Sequence, residues 1–437
     1  MFDATIITPI RLNPELFDDT HIIRLEWDFE KSLSKNCFLT WSDMLNLNVR
    51  TATPETVHKI GIAPQEKIVM SDFFWYAFKK EKAVELFKGK DIIIVSMESK
   101  PNGYQYMDQY WGHPQKDTLS QEHLSNFNNV TYIIDNSHPG MHDINPDINF
   151  LPSHSWSKQW LQQVYPESPI RVGGLLKKAD SVEEHNWSVH WEKMNKYFED
   201  WNTLAYDYTL SLGTMKTFRV DLFNKIKIRD LDTRGQIGTY CDTWDLERLE
   251  NHQRHFSTVL NDTVEYSNFP NKFKQLPGDR KDGYDRGGAG GFTYNETCLY
   301  TSKLELIVES VAESSKKFID FGVNNHNGEP FPISQLTEKT SRMLLLGKPF
   351  LLVTTNMLYE QLEEWGFDWY RDIFGDYRGN DFEETNSNVC DILSDLKNGK
   401  EFNIEQLQRI SKHNYDNIAP YIADTYGPQY VAKLLNF

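Results

Sequence analysis

The sequence predicts an α/β protein of two facing domains with a cleft between them, and three observations carry that expectation. Short apolar, β-branched runs recur along the chain, each followed by a turn and a segment of helical spacing. The alternation runs twice, over roughly residues 1–190 and again over roughly 205–400. A tryptophan-rich helical stretch, Trp187–Trp201, separates the two runs. Strands alternating with helices imply parallel sheets covered on both faces.

In the first set the clearest strand is Asp91-Ile-Ile-Ile-Val-Ser96, followed by Val130-Thr-Tyr-Ile-Ile134. Helical spacing covers Ser71–Phe87 before them and Ser188–Leu204 after them. The second set opens with Tyr206-Asp-Tyr-Thr-Leu-Ser-Leu212 and turns into a helix expected from Asp221 to Lys227. Thr337 is placed to cap a helix whose first turn holds Glu338, with Met343, Leu344 and Leu346 as its apolar positions. Gly347 should end that helix ahead of a buried strand, Pro349-Phe-Leu-Leu-Val-Thr354, and a further helix over Asn356–Trp365. Phe402–Phe437 reads as two helices broken around His413–Asn417. The expected division is 1–200, 205–415 and a C-terminal helix, 416–437, packing back on the first domain.

Composition narrows the function classes. The 437 residues are enough for two to four domains, and 39% hydrophobic content supplies real cores. Lys plus Arg total 46 against 63 Asp plus Glu, a net −17. That charge repels phosphate backbones at long range, yet leaves room for a local basic cleft that holds one small anion. Cys37, Cys241, Cys298 and Cys390 show no CxxC spacing, so free thiols in a reducing compartment are expected rather than disulfides or structural zinc. The N-terminal segment lacks the pattern of a secretory leader, and no apolar run approaches a membrane span, so the expected location is cytoplasmic. There is no Gly-x-Ser-x-Gly elbow and no Walker loop.

Ligands in parallel sheets sit outside the carboxyl ends of strands, which singles out residues after the strands. Glu338, Lys339 and Thr340 stand at a helix N-terminus where free N–H groups and a lysine suit a diphosphate, and a glutamate suits ribose hydroxyls. Lys216 and Arg219 occupy the corner after Leu212, again fit for phosphate. Glu98, just past the best strand, is a candidate general base. His138 and His142 are separated by Pro139 and Gly140, which excludes a helical metal pair and leaves them as candidate acceptor contacts, as is His154. Asp207, Asp242 and Asp245 form no metal motif. The glycine-dense Asp282–Phe292 reads as a loop near the cleft.

Four segments, in order, carry a resemblance. They are Val95-Ser-Met-Glu-Ser99, Phe218-Arg-Val-Asp-Leu-Phe-Asn-Lys-Ile226 with Leu231-Asp-Thr-Arg-Gly235, Leu306-Ile-Val-Glu-Ser310, and Leu336-Thr-Glu-Lys-Thr340 ahead of Leu346-Gly-Lys-Pro-Phe350. Together they resemble the fucosyltransferase family and its exostosin-like relatives, two-domain glycosyltransferases of the GT-B type, most specifically over residues 304–354. The chain departs from that pattern in Ser310-Val311, where the family has Asn-Ser, and in Gln335, where it often has an aromatic.

The resemblance implies two facing Rossmann-like domains and a GDP- or UDP-linked nucleotide diphosphate sugar as donor. Arg219 and Lys339 would neutralise the diphosphate, with Lys216 beside them; Glu338 would hold the ribose and Glu309 would face the donor. Glu98 would deprotonate the acceptor hydroxyl in a single inverting displacement that uses no metal and no cofactor. The acceptor would be a glycan, a protein or a hydroxymethylated base of phage DNA, and the source bacterial or viral. A non-catalytic carbohydrate- or nucleotide-binding protein on the same fold is the alternative class.

Overall fold

The computed structural model describes residues 21–25, 48–53, 56–64, 66–71, 80–95, 125–134, 148–152, 187–212, 217–239, 299–309, 323–324, 330–331 and 336–426. Two parallel sheets of doubly wound α/β type organise them. Glu98, His138, His142, His154, Lys216, Cys37, Cys241, Cys298 and the segment 282–292 lie outside the described residues.

The first sheet comprises β1 (His21–Leu25), β2 (Asn48–Ala52), β3 (Lys67–Ser71), β4 (Asp91–Val95), β5 (Asn129–Ile134) and β6 (Ile148–Pro152). Its order is β2-β1-β3-β4-β5-β6, with every neighbouring pair parallel. The isoleucine run of β4 lies between β3 and β5, as a strand buried on both faces should. Helix α1 is Val57–Ile60 and α2 is Lys80–Phe87. Helix α2 lies within the helix expected over Ser71–Phe87, but the expected start is wrong: Ser71 closes β3, where it pairs with Val95. The Ile68-Val69-Met70 run before it suits a strand between two neighbours better than a helix.

The second unit begins with α3 (Trp187–Glu199) and continues through β7 (Tyr206–Leu212), α4 (Thr217–Ile228), β8 (Gly235–Thr239) and β9 (Ser302–Val308). A short antiparallel pair, β10 (Val323–Asn324) with β11 (Pro330–Phe331), precedes α5 (Glu338–Leu346) and β12 (Phe350–Val353). Then follow α6 (Asn356–Glu364), α7 (Arg371–Phe374), α8 (Phe382–Lys397) and α9 (Ile404–Tyr426). The sheet order is β12-β9-β7-β8, all parallel. From β7 the chain passes through α4 to β8 on one side, whereas β9 and β12 lie on the other. The order therefore reverses between β7 and β9, which is where a crevice opens at the carboxyl ends of such sheets.

Two element boundaries differ from expectation for physical reasons. Helix α4 starts at Thr217 rather than Asp221, because Phe218, Val220, Leu222, Phe223 and Ile226 all face the core. The break expected around His413–Asn417 is absent, and α9 runs unbroken from Ile404 to Tyr426. Its polar residues there fasten it to the backbone of 365–368. Asn414 accepts from the Asp368 amide through Oδ1 and donates to the Asp368 carbonyl through Nδ2, at 2.7 Å each. Asn417 donates to the Trp365 carbonyl (2.7 Å) and His413 to the Gly366 carbonyl (2.9 Å).

Helix α3 packs with the second sheet. His190 donates from Nε2 to the Leu346 carbonyl and meets the Tyr300 hydroxyl with Nδ1, while Tyr197 donates to the Lys303 carbonyl. Trp191 stacks edge-on against Tyr415 of α9. Cys390 is a buried free thiol, and burial pushes its pKa up to about 12. Among the described residues no helix is long and apolar enough to cross a membrane.

Candidate functional site

The carboxyl ends of β7 and β9 bring together several of the residues singled out from the sequence. Strand β9 leads into Glu309, whose amide donates to the Val353 carbonyl at 3.0 Å, so the ladder with β12 continues to the site's edge. Glu309 is fully buried. One carboxylate oxygen accepts from the Thr337 amide (3.2 Å) and the Thr340 hydroxyl (2.5 Å); the other accepts from the Thr337 hydroxyl (2.5 Å).

Helix α5 begins where the sequence indicated. Thr337 has extended backbone and accepts from the Lys339 amide through its side-chain oxygen, the geometry of an N-cap. Its carbonyl also receives the Ser341 hydroxyl at 2.9 Å. At the other end Gly347 adopts φ 65°, in the left-handed region that glycine enters without strain, and its amide returns to Leu344. Lys348, the next residue, closes the turn onto the Met343 carbonyl. A rigidly bounded helix thus presents its N-terminus, with its partial positive charge, to the end of β9.

Lys339 lies in that first turn, half-buried, with its ammonium 3.2 Å from the Thr337 hydroxyl. Glu338 is the first residue of the helix. Arg219, in the first turn of α4, is buried at 2% exposure and reaches across from β7's side of the crevice. Its Nη2 donates to the carbonyls of Val308 (3.1 Å) and Glu309 (3.0 Å). The guanidinium therefore bridges the point where strand order reverses. In this arrangement it clamps the end of β9 from behind, whereas a loop cation would face water.

Residues that sequence reasoning did not reach complete the frame. Asn386 of α8 donates to the Phe218 carbonyl (2.9 Å) and to Asp221 (2.8 Å), while Lys225 pairs with Asp221. The first turn of α4 is thereby held from two sides. Asp381, three residues before Glu384 and accepting its amide, is the local pattern that could have marked the start of α8. Thr337 and Thr340, both singled out from the sequence for the start of α5, lie one helical turn apart and serve Glu309 together, a role the sequence did not show.

What the set offers an anion or polar ligand is the Lys339 ammonium at the positive end of α5, on a scaffold where the Thr337 and Lys339 amides are already engaged by Glu309 and the Thr337 hydroxyl. Among the described residues no cluster of His, Cys, Asp and Glu could hold a metal ion.

No protein-family model matches the chain, and no curated protein matches it. Among solved structures it is similar to an alpha,alpha-trehalose-phosphate synthase (UDP-forming) from Burkholderia vietnamiensis, at 11% identity over 91% of this chain and 76% of that one, with a TM-score of 0.38. It is also similar to an alpha,alpha-trehalose 6-phosphate synthase from Burkholderia multivorans, at 9% identity over 95% of this chain and 98% of that one, with a TM-score of 0.40. At such identities the chemistry of the present site is read from its own residues.

Proposed function

We propose that the chain is an inverting, metal-independent glycosyltransferase that moves a sugar from a GDP- or UDP-linked diphosphate donor to an acceptor hydroxyl. The observation that carries the reading is the joining of α5's N-terminus, with Lys339, to the end of β9 at the strand-order reversal of the second sheet. Residues 205–415 take the donor. Lys339 and Lys216 neutralise the diphosphate, Glu338 holds the ribose, and Arg219 adds its charge from behind β9 while fixing the strand end.

Residues 1–200 take the acceptor, with His138 and His142 as contacts and Glu98 as the base. The acceptor hydroxyl gives its proton to Glu98 as its oxygen attacks the anomeric carbon. The bond from that carbon to the diphosphate oxygen breaks, and the nucleoside diphosphate leaves with the electron pair. One displacement inverts the anomeric centre. A fucosyltransferase-like enzyme acting in a bacterial or virus-infected cytoplasm fits this reading, with a glycan or a hydroxymethylated DNA base as acceptor.

A thermal-shift series with UDP, GDP, ADP, CMP and their sugars tests it. A ligand that binds the folded chain alone raises the melting temperature. One nucleotide should do so, and Lys339→Ala should lose the shift. Glu98→Gln should keep nucleotide binding and lose transfer. Binding without transfer or donor hydrolysis in the wild type identifies a non-catalytic nucleotide-binding protein, and no shift with any nucleotide overturns the reading.

A further inference from the structure

The Thr337 hydroxyl sits between Glu309 and Lys339, and its hydrogen-bond direction is determined by its neighbours. Its oxygen is 3.3 Å from the Lys339 amide and 3.2 Å from the Lys339 ammonium. Both of those groups can only donate. The oxygen therefore spends its lone pairs on Lys339, and its single proton has one remaining acceptor, the Glu309 carboxylate oxygen 2.5 Å away. Glu309 in turn is fully buried and held by the Thr337 amide and the Thr340 hydroxyl, so it cannot turn aside. Its backbone carbonyl is fixed by Arg219.

We propose that Glu309 and Thr337 are positioning residues that set the Lys339 ammonium across the first turn of α5, ready for the diphosphate of a nucleotide. The proposal rests on the functional reading above and adds to it a one-way relay. Glu309 orients the Thr337 hydroxyl, and the hydroxyl holds the ammonium at the positive end of α5. Lysine is a flexible point charge, so a hold on its ammonium lowers the rotamer freedom lost on each binding event. The Glu309 carboxylate consequently acts through Thr337 and Lys339, without itself touching the donor.

The test separates presetting from simple support of the helix. Affinities for UDP and GDP, and for uridine and guanosine, are measured by calorimetry on wild type, Thr337→Val, Thr337→Ser, Lys339→Ala and the double variant Thr337→Val/Lys339→Ala. Loss of one charge-assisted contact predicts diphosphate binding weakened about tenfold in Thr337→Val, with nucleoside binding unchanged. Thr337→Ser, which restores the hydroxyl, should bind as wild type does. The double variant should be no weaker than Lys339→Ala alone, since both changes act on one contact.

Wild-type diphosphate affinity in Thr337→Val overturns the relay. So does equal loss of nucleoside and diphosphate, the mark of a disturbed helix, and so does additivity with Lys339→Ala. A wild-type protein that binds no nucleotide overturns the functional reading itself, and the relay with it.

Discussion

The ring of Tyr208 occupies the space that a side chain at Gly235 would need, although the two residues are register partners on neighbouring strands. A Cβ at position 235 would stand 2.5 Å from the Tyr208 hydroxyl oxygen. Tyr208 is buried and its hydroxyl donates to the Leu231 carbonyl at 3.3 Å, so the ring has nowhere cheap to go. Gly235→Ala should destabilise the second unit by about 1–3 kcal/mol, as overpacking does. Chemical denaturation measures it, and Tyr208→Leu in the same background should recover part of the loss; a neutral Gly235→Ala would contradict this close approach.

Lys348 is a wholly buried cation with carbonyls for company. Its ammonium donates to Leu299 (2.6 Å) and to Ser302, and lies 4.3 Å from the centre of the Tyr197 ring. Lys348→Met keeps the stem and removes the donor, stranding two carbonyls in the segment that leads into β9. A loss of about 2–4 kcal/mol is expected. Equilibrium unfolding reads it directly, and a stability within error of wild type would show that the carbonyls find water instead.

Glu305, in the middle of β9, makes stability depend on pH. Burial raises its carboxyl from 4.5 to about 7, against the opposing pull of Arg342 and Lys348. The folded chain therefore holds this proton more tightly than the unfolded chain. Stability from this group is complete below the unfolded value and declines as pH rises towards the folded one, by up to about 3 kcal/mol. Glu305→Gln removes the dependence. Melting curves should place the variant above wild type at about pH 8 and close to it at about pH 4; parallel profiles would refute the buried carboxyl.

Asp207 works in the opposite direction. Burial alone would raise its carboxyl, but hydrogen bonds from Arg234 (2.9 Å) and Lys303 (3.0 Å) outweigh that and hold it below its usual value. Its contribution is present above the unfolded value and is lost as pH falls through the folded one. Asp207→Asn should cost about 2–4 kcal/mol near neutrality, because the largely buried Lys303 loses its counter-charge. The penalty should shrink in strong acid, and a constant penalty across pH would show that charge is not its source.

The parts of the fold legible in sequence were those written in apolar continuity or in local capping. The Ile92–Ile94 run of β4, the buried strands β7 and β12, the Thr337 cap and the Gly347 stop all lie where their residue types indicate. What escaped was written in long-range polarity. Strand β8, Gly-Gln-Ile-Gly-Thr, has no apolar run; among the described residues it pairs with β7 alone, and its Gly235 accommodates a neighbour's ring. Asn414 and Asn417 read as a helix break because polar residues favour loops, yet both are spent on the backbone of 365–368. At the site, spacing marked Lys339 and Thr337 but could not show that Arg219 and Glu309 are interior. Their partners lie far off in sequence, and only the sheet order brings them together.

The order of the second sheet also governs when the site can exist during synthesis. Arg219 leaves the ribosome about ninety residues before the carbonyls it grips, and Glu309 emerges before the threonines that receive its carboxylate. The other side of β7 belongs to β9, made later than β8. The grip of Arg219 on β9 therefore cannot form until β9 slots in, and the Glu309 carboxylate waits again for α5. Truncated chains ending before residue 340 cannot assemble this corner, so its contacts form only once both β9 and the start of α5 have been made.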